Sequence, residues 1–140
     1  MENKRITQLT ESAQTARKNA HAPYSGFHVG AAVLTTEESI FAGCNVENAA
    51  YPLGQCAEAT AIGAMVASGA TKIEAIVISS PNDDLCFPCG GCRQKIAEFA
   101  DDDTPVILVT DCGKQETYTV GELLPHAFRF SHLSANKEKA

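Results

Sequence analysis

No run of apolar residues in this chain approaches the roughly 20 needed to span a bilayer, which argues against an integral membrane protein. Basic residues are scarce. Eleven Lys and Arg stand against seventeen Asp and Glu, for a net charge of −6, and the longest charge run is the acidic Asp101-Asp102-Asp103. A broad grip on nucleic acid needs clustered Lys and Arg, so that class is disfavoured. Internal repeats and low-complexity stretches are absent. The opening residues, Met1-Glu2-Asn3-Lys4-Arg5, lead into a polar amphipathic segment rather than a secretory signal, so the expected compartment is the cytosol. Trp is missing, yet 44% of the 140 residues are hydrophobic, too many for intrinsic disorder and the right amount for one domain around one core.

What is present in excess is cysteine, at positions 44, 56, 86, 89, 92 and 112. Thiols stay reduced in the cytosol, so metal binding or catalysis comes before disulfides. The hydrophobic pattern places these cysteines. A helical period over 6–22 is closed by Pro23. Strands are expected at Gly30 to Thr35 and Ile40 to Asn45, paired antiparallel, followed by a loop over Asn48 to Gln55. An Ala-rich helix over 57–68 ends at Gly69. A strand from Glu74 to Ser80, a helix after Pro88 and a strand from Pro105 to Val109 follow. A short strand near Tyr118 and a short helix over 120–124 complete the pattern. The expected fold is α/β, one mixed sheet of about five strands covered by helices. Residues 1–133 form the domain, and 134–140 are a polar tail expected to fray.

Cys56-Ala57-Glu58 therefore opens one helix and Pro88-Cys89-Gly90-Gly91-Cys92 another. Helix N-termini favour thiolate, the metal-binding form. Two such starts meeting tip to tip can hold one zinc with three sulfurs and leave a fourth position for water, as catalytic zinc does. Mid-helix, Cys56 and Glu58 would point about 200° apart. In the first turn both can reach a group beyond the helix end, and a carboxylate beside an activated water can move protons. Cys-x-Glu, with Cys89 31 residues after Glu58 in Pro-Cys-x-x-Cys, resembles the signature of zinc nucleobase deaminases. Two blander readings stand beside it. The cysteines can be small core residues, or Cys86 can join the three in a closed structural site.

The wider chain, from about Thr7 to Phe128, resembles the small cytidine deaminases with all-cysteine zinc sites. The resemblance rests on Ala22-Pro23-Tyr24-Ser25, Phe27-x-Val29-Gly30-Ala31-Ala32 and Gly43-Cys44-Asn45-Val46-Glu47-Asn48-Ala49 with Tyr51. It continues through Cys56-Ala57-Glu58, Pro88-Cys89-Gly90-Gly91-Cys92-Arg93-Gln94 and Glu122-Leu123-Leu124-Pro125-x-x-Phe128. It implies a three-layer α/β/α fold and hydrolytic deamination of cytidine and 2′-deoxycytidine to uridine and 2′-deoxyuridine, in pyrimidine salvage. Cys56, Cys89 and Cys92 would hold one Zn²⁺. Zinc-bound hydroxide would attack C4, with Glu58 moving the protons. Asn45 and Glu47 would hold the ribose, Phe27 would line the pocket, and Ala57 would meet the base through its backbone. Phe128 would reach the site of a neighbouring subunit in a homotetramer. The spacing of Asn45 and Glu47 supports their pairing independently, because residues two apart at a strand end share a side. The alternative is a solvated strand end, and for Phe27 and Phe128 it is a core aromatic.

Two departures from the resemblance stand out. Ala59 takes the place of an Arg that often follows the Glu and donates to the thiolates; Arg93 is expected to compensate from outside the ligand set. Cys86-Phe87 replaces the more usual apolar-then-Ser pair before Pro-Cys, which alters the pocket wall. His21, His28, His126 and His132 show no metal spacing. Two alternatives remain open: a cytosine-bearing antibiotic or N4-substituted cytidine as substrate, and a non-enzymatic zinc module.

Overall fold

A computed structural model describes residues 3–129. His132 and the expected tail over 134–140 lie outside them. Along the chain run α1 (Asn3–Arg17), β1 (Gly30–Thr35), β2 (Ile40–Cys44), a single 3-10 turn (Tyr51–Leu53), α2 (Ala57–Ala67), β3 (Ile73–Ser80), α3 (Gly90–Phe99), β4 (Pro105–Thr110), β5 (Gln115–Thr119) and α4 (Val120–Leu123). The strands form one sheet in the order β2-β1-β3-β4-β5. All pairs are antiparallel except β3 with β4, which α3 connects in parallel, as a crossover helix allows.

Both faces of the sheet are covered, which is why residues 31–34 of β1 and 75–78 of β3 read as continuous apolar runs. On one face Leu9 and Ala13 of α1 pack on Ala32, Leu34, Ala75, Val77, Ile107 and Val109. On the other, Ala61 and Met65 of α2 and Ile96 and Ala97 of α3 pack on Val33, Ile76, Ile78, Val106 and Leu108. The result is the three-layer α/β/α arrangement. Two glycines set how closely the helices lie. A Cβ on Gly30 would fall 2.0 Å from the Ala13 carbonyl oxygen of α1, and one on Gly43 would fall 2.5 Å from the Ala61 nitrogen of α2.

The first helix is shorter than its period suggested. It stops at Arg17 rather than continuing to Pro23. The chain is pulled into an extended bridge, where His21 N donates to Asn45 O (3.0 Å) and Glu47 N donates to His21 O (2.8 Å). A strand-like partner takes the backbone groups that another helical turn would have used. Val46 in turn exchanges two 2.8 Å bonds with Gln55. This small ladder ties the Asn45–Glu47 segment to the residue preceding Cys56.

Candidate active site

The two helix starts do meet. Cys56 is the N-cap of α2 and Cys89 the N-cap of α3, both with extended backbone and neither side chain bonded to its own helix. At a position where Ser, Thr, Asp or Asn normally caps the first turn, the sulfurs are turned to each other instead. Cys92, in the first turn of α3, completes the set. The three Sγ atoms lie within 4.8 Å of one another, with Cys56 and Cys89 4.0 Å apart. Zinc–sulfur bonds of about 2.3 Å in a tetrahedron place sulfurs about 3.8 Å apart. The donor set and its spacing thus fit a zinc ion.

Electrostatics sharpen the picture. A hydrogen bond from Cys92 holds the Cys56 thiol down to about 6, helped by Cys89 and by the charge of Lys95, against the effect of burial. The Cys92 thiol is pushed up by the same shared proton and by burial. Cys86 does not join the 4.8 Å set. Its Sγ lies 4.0 Å from the Phe87 carbonyl oxygen, and burial, then the nearby Glu58 charge, push its thiol up to about 11. Cys44 is half-buried on β2, and Cys112 is exposed in the β4–β5 turn.

Glu58 follows in the first turn of α2 and is only 4% exposed. Burial raises its carboxyl above the usual range; the Cys56 charge adds to this and Lys95 opposes it. A cavity of about 230 Å³ opens on this group, lined by Phe27, Val29, Asn45, Cys56, Ala57, Glu58, Cys86, Phe87 and Cys89. Glu47 faces a neighbouring hollow of about 280 Å³ with Tyr24, Ser25, Asn48, Tyr51 and Gly54. Asn45 and Glu47 nonetheless turn to the same segment. Asn45 Oδ1 accepts from Val29 N (2.9 Å) and its Nδ2 donates to Phe27 O (2.8 Å). Glu47 Oε1 accepts from Tyr24 N (3.0 Å) and Ser25 N (3.1 Å), and Oε2 from the Ser25 hydroxyl.

Arg93 sits beside the cluster but makes both of its guanidinium bonds to carbonyls, from Nε to Pro88 O (2.7 Å) and from Nη1 to Leu123 O (2.8 Å). It braces the backbone just before Cys89. The positive charge felt by Cys56 and Glu58 is that of Lys95, one helical turn beyond Cys92 on α3, which motif reading passed over. Phe128 is 59% exposed and is not among the residues lining the 230 Å³ cavity. Its carbonyl accepts from Gln94 Nε2 (2.7 Å), and Arg129 donates to the carbonyls of Ala97 and Ala100 at the end of α3. His21, His28 and His126 lie outside the sulfur cluster.

Residues 3–108 match the family described as the cytidine and deoxycytidylate deaminase zinc-binding region. The chain belongs to this family. The deaminase match extends to whole proteins. A cytidine deaminase of Sporosarcina psychrophila is 40% identical over 134 residues, covering 96% of this chain and 98% of its own. A crystal structure of a cytidine deaminase from Burkholderia pseudomallei superposes with a TM-score of 0.84 at 40% identity, over 91% of this chain and 100% of that one. A blasticidin-S deaminase of Bacillus cereus is 34% identical over 106 residues, 70% of this chain and 74% of its own.

Proposed function

We propose that this chain is a zinc-dependent hydrolase that deaminates cytidine and 2′-deoxycytidine. The observation that carries the reading is a cluster of three mutually close sulfurs, two of which, Cys56 and Cys89, line one small cavity together with the buried Glu58 carboxylate and the Asn45 amide. Cys56, Cys89 and Cys92 hold the metal. A zinc ion there supplies the acidity that makes water nucleophilic near neutral pH.

The chain's own residues supply the rest. Glu58, kept from bulk water, takes a proton from the attacking water, gives it to N3 and then serves the departing amino group. The C4–O bond forms, the C4–N bond breaks and ammonia leaves, so that cytidine and water become uridine and ammonia. Phe27 offers a ring to the base and Ala57 its backbone. Asn45 keeps one amide hydrogen, and Glu47 an acceptor position, for the ribose hydroxyls. Arg93 fixes the Pro88 carbonyl and so the entry into Cys89.

We also propose that the chain works as a homotetramer, with Phe128 completing a neighbouring site. Large exposed apolar side chains support this: Tyr24, Tyr51, Leu53, Val66 and Phe128 are solvent-facing in the single chain. The free cysteines suit the cytosol, and among the described residues no helix is long and apolar enough to cross a membrane. A pyrimidine-salvage role follows from the reaction.

A cytosine-bearing antibiotic is the second substrate class, favoured only by the blasticidin-S deaminase likeness. The test is turnover of cytidine by zinc-loaded protein, read as ammonia and uridine, beside a Glu58→Gln control. Uridine that the control fails to make supports the reading. A protein with one zinc per chain that is silent on cytidine and active on the antibiotic would replace it with the second.

A further inference from the structure

Phe87 is a residue that the proposed reaction leaves without a task. It stands two positions before Cys89, and its side chain is 42% exposed while lining the same cavity as Cys56, Glu58 and Cys89. An exposed Phe is normally free to turn. This one is backed by Tyr118 of β5, with ring centroids 5.1 Å apart and planes inclined by 59°, a favourable tilted pair. Tyr118 is itself anchored, its hydroxyl donating to Glu116 Oε1 (2.5 Å) and its ring packing against the core. Cys86, packed on the same core, continues the surface beside it. The cavity thus has an aromatic ring in its wall, two residues before the Cys89 sulfur, held by a strand that supplies no residue of its own to the lining.

The position in the cavity assigns the part of the substrate that meets this ring. On the deaminase reading, C4 must lie at the sulfurs and N3 at Glu58, while the sugar lies toward Asn45. The edge left facing the wall beside Cys89 is the one bearing the exocyclic nitrogen and C5. We propose that Phe87, braced by Tyr118, is the specificity-determining residue for that edge, excluding substituents on the exocyclic nitrogen and on C5. One extra methyl group in a tight apolar pocket changes selectivity by roughly 10–200-fold, so a single ring can set this limit.

The test compares cytidine, N4-methylcytidine, 5-methylcytidine and 2′-deoxycytidine as substrates of zinc-loaded wild-type, Phe87→Ala and Phe87→Leu proteins. N4-methylcytidine and water give uridine and methylamine; 5-methylcytidine and water give 5-methyluridine and ammonia. Phe87→Ala should raise kcat/KM for at least one methylated nucleoside relative to cytidine by about tenfold or more. Phe87→Leu should lie between, and the deoxycytidine-to-cytidine ratio should stay fixed. Tyr118→Ala should move the methyl ratios the same way by releasing the ring. The same comparison at equilibrium, titrating each nucleoside into Glu58→Gln protein with and without Phe87→Ala, should show tighter relative binding of the methylated forms. Methyl ratios that do not move in proteins making uridine normally overturn this proposal alone, and so does a joint shift of the deoxycytidine ratio, which marks a general loosening. Wild-type protein that holds zinc and makes no uridine overturns the cytidine reading and this proposal with it.

Discussion

Ser25 and Glu47 are joined twice: the Ser25 amide donates to Oε1 at 3.1 Å and its hydroxyl donates to Oε2. The same hydroxyl oxygen accepts from Phe27 N at 3.0 Å, so one small side chain couples the Glu47 carboxylate to the Phe27 backbone. These bonds, with that from Tyr24 N, hold Glu47 below the usual carboxylate range. An ionised carboxylate has about four acceptor positions; the protein fills three, leaving about one for a sugar hydroxyl. Ser25→Ala should therefore raise KM for cytidine by up to about tenfold, with kcat changed by less than about twofold. Ser25→Thr, which keeps the hydroxyl, should restore most of it. A fall in kcat at constant KM would place Ser25 elsewhere in the reaction.

In zinc-stripped protein the thiols should react in a definite order. Held down to about 6 by its hydrogen bonds to Cys92 and Cys89, Cys56 carries the thiolate at neutral pH and should be the first of the three cluster cysteines to take iodoacetamide. Cys86, at about 11, should react more slowly than Cys56, and the buried Cys92, whose thiol is pushed up further still, should be the slowest. Zinc should protect Cys56, Cys89 and Cys92 and leave the rate at Cys86 unchanged. Protection of Cys86 in proportion to bound zinc would revive the closed four-cysteine site.

Glu58 gives a prediction that changes sign with its environment. Burial raises its carboxyl pKa in the metal-free fold. Between the ordinary carboxylate value and this raised one, the folded state binds more protons than the unfolded state, so stability falls as pH rises through that window. Glu58→Gln should accordingly raise the melting temperature of metal-free protein at pH 7, and the gain should shrink toward pH 4. The same variant should keep zinc yet lose turnover by about 10²–10⁴-fold. An unaltered melting temperature at pH 7 would mean that water reaches this carboxylate freely.

Much of this site was legible because its chemistry is carried by side chains at fixed spacing. Cys56, Glu58, Cys89 and Cys92 announce two helix starts, and the folded chain brings the three sulfurs within 4.8 Å of one another. Strand order was not legible, since an apolar run such as that over residues 75–78 says that both faces are covered but not which strands flank it. The end of α1 was misplaced because Ala16 and Ala20 keep a helical period. The force that ends the helix is a backbone bond from His21 to Asn45, 24 residues away. The roles of Ser25 and Lys95 were hidden for the same reason: each acts on a partner that only the tertiary fold brings near.

Gly43 links the sheet to the chemistry and can be tested directly. A Cβ there would sit 2.5 Å from Ala61 N and 2.8 Å from the Thr60 carbonyl carbon. Both are backbone atoms of α2, so no side-chain rotation relieves the clash and the helix itself must move. Overpacking of this kind typically costs about 1–3 kcal/mol, and Gly43→Ala should lower the melting temperature accordingly. Because Cys56 and Glu58 occupy the first turn of the same helix, a displaced α2 also carries one sulfur away from the two on α3. Zinc affinity, measured by competition with a chromogenic chelator, should therefore fall along with stability. A variant that is destabilised yet binds zinc as tightly as the parent would show that α2 bends near Ala61 and leaves its N-terminus in place, and the rigid coupling between β2 and the sulfur cluster would have to be abandoned.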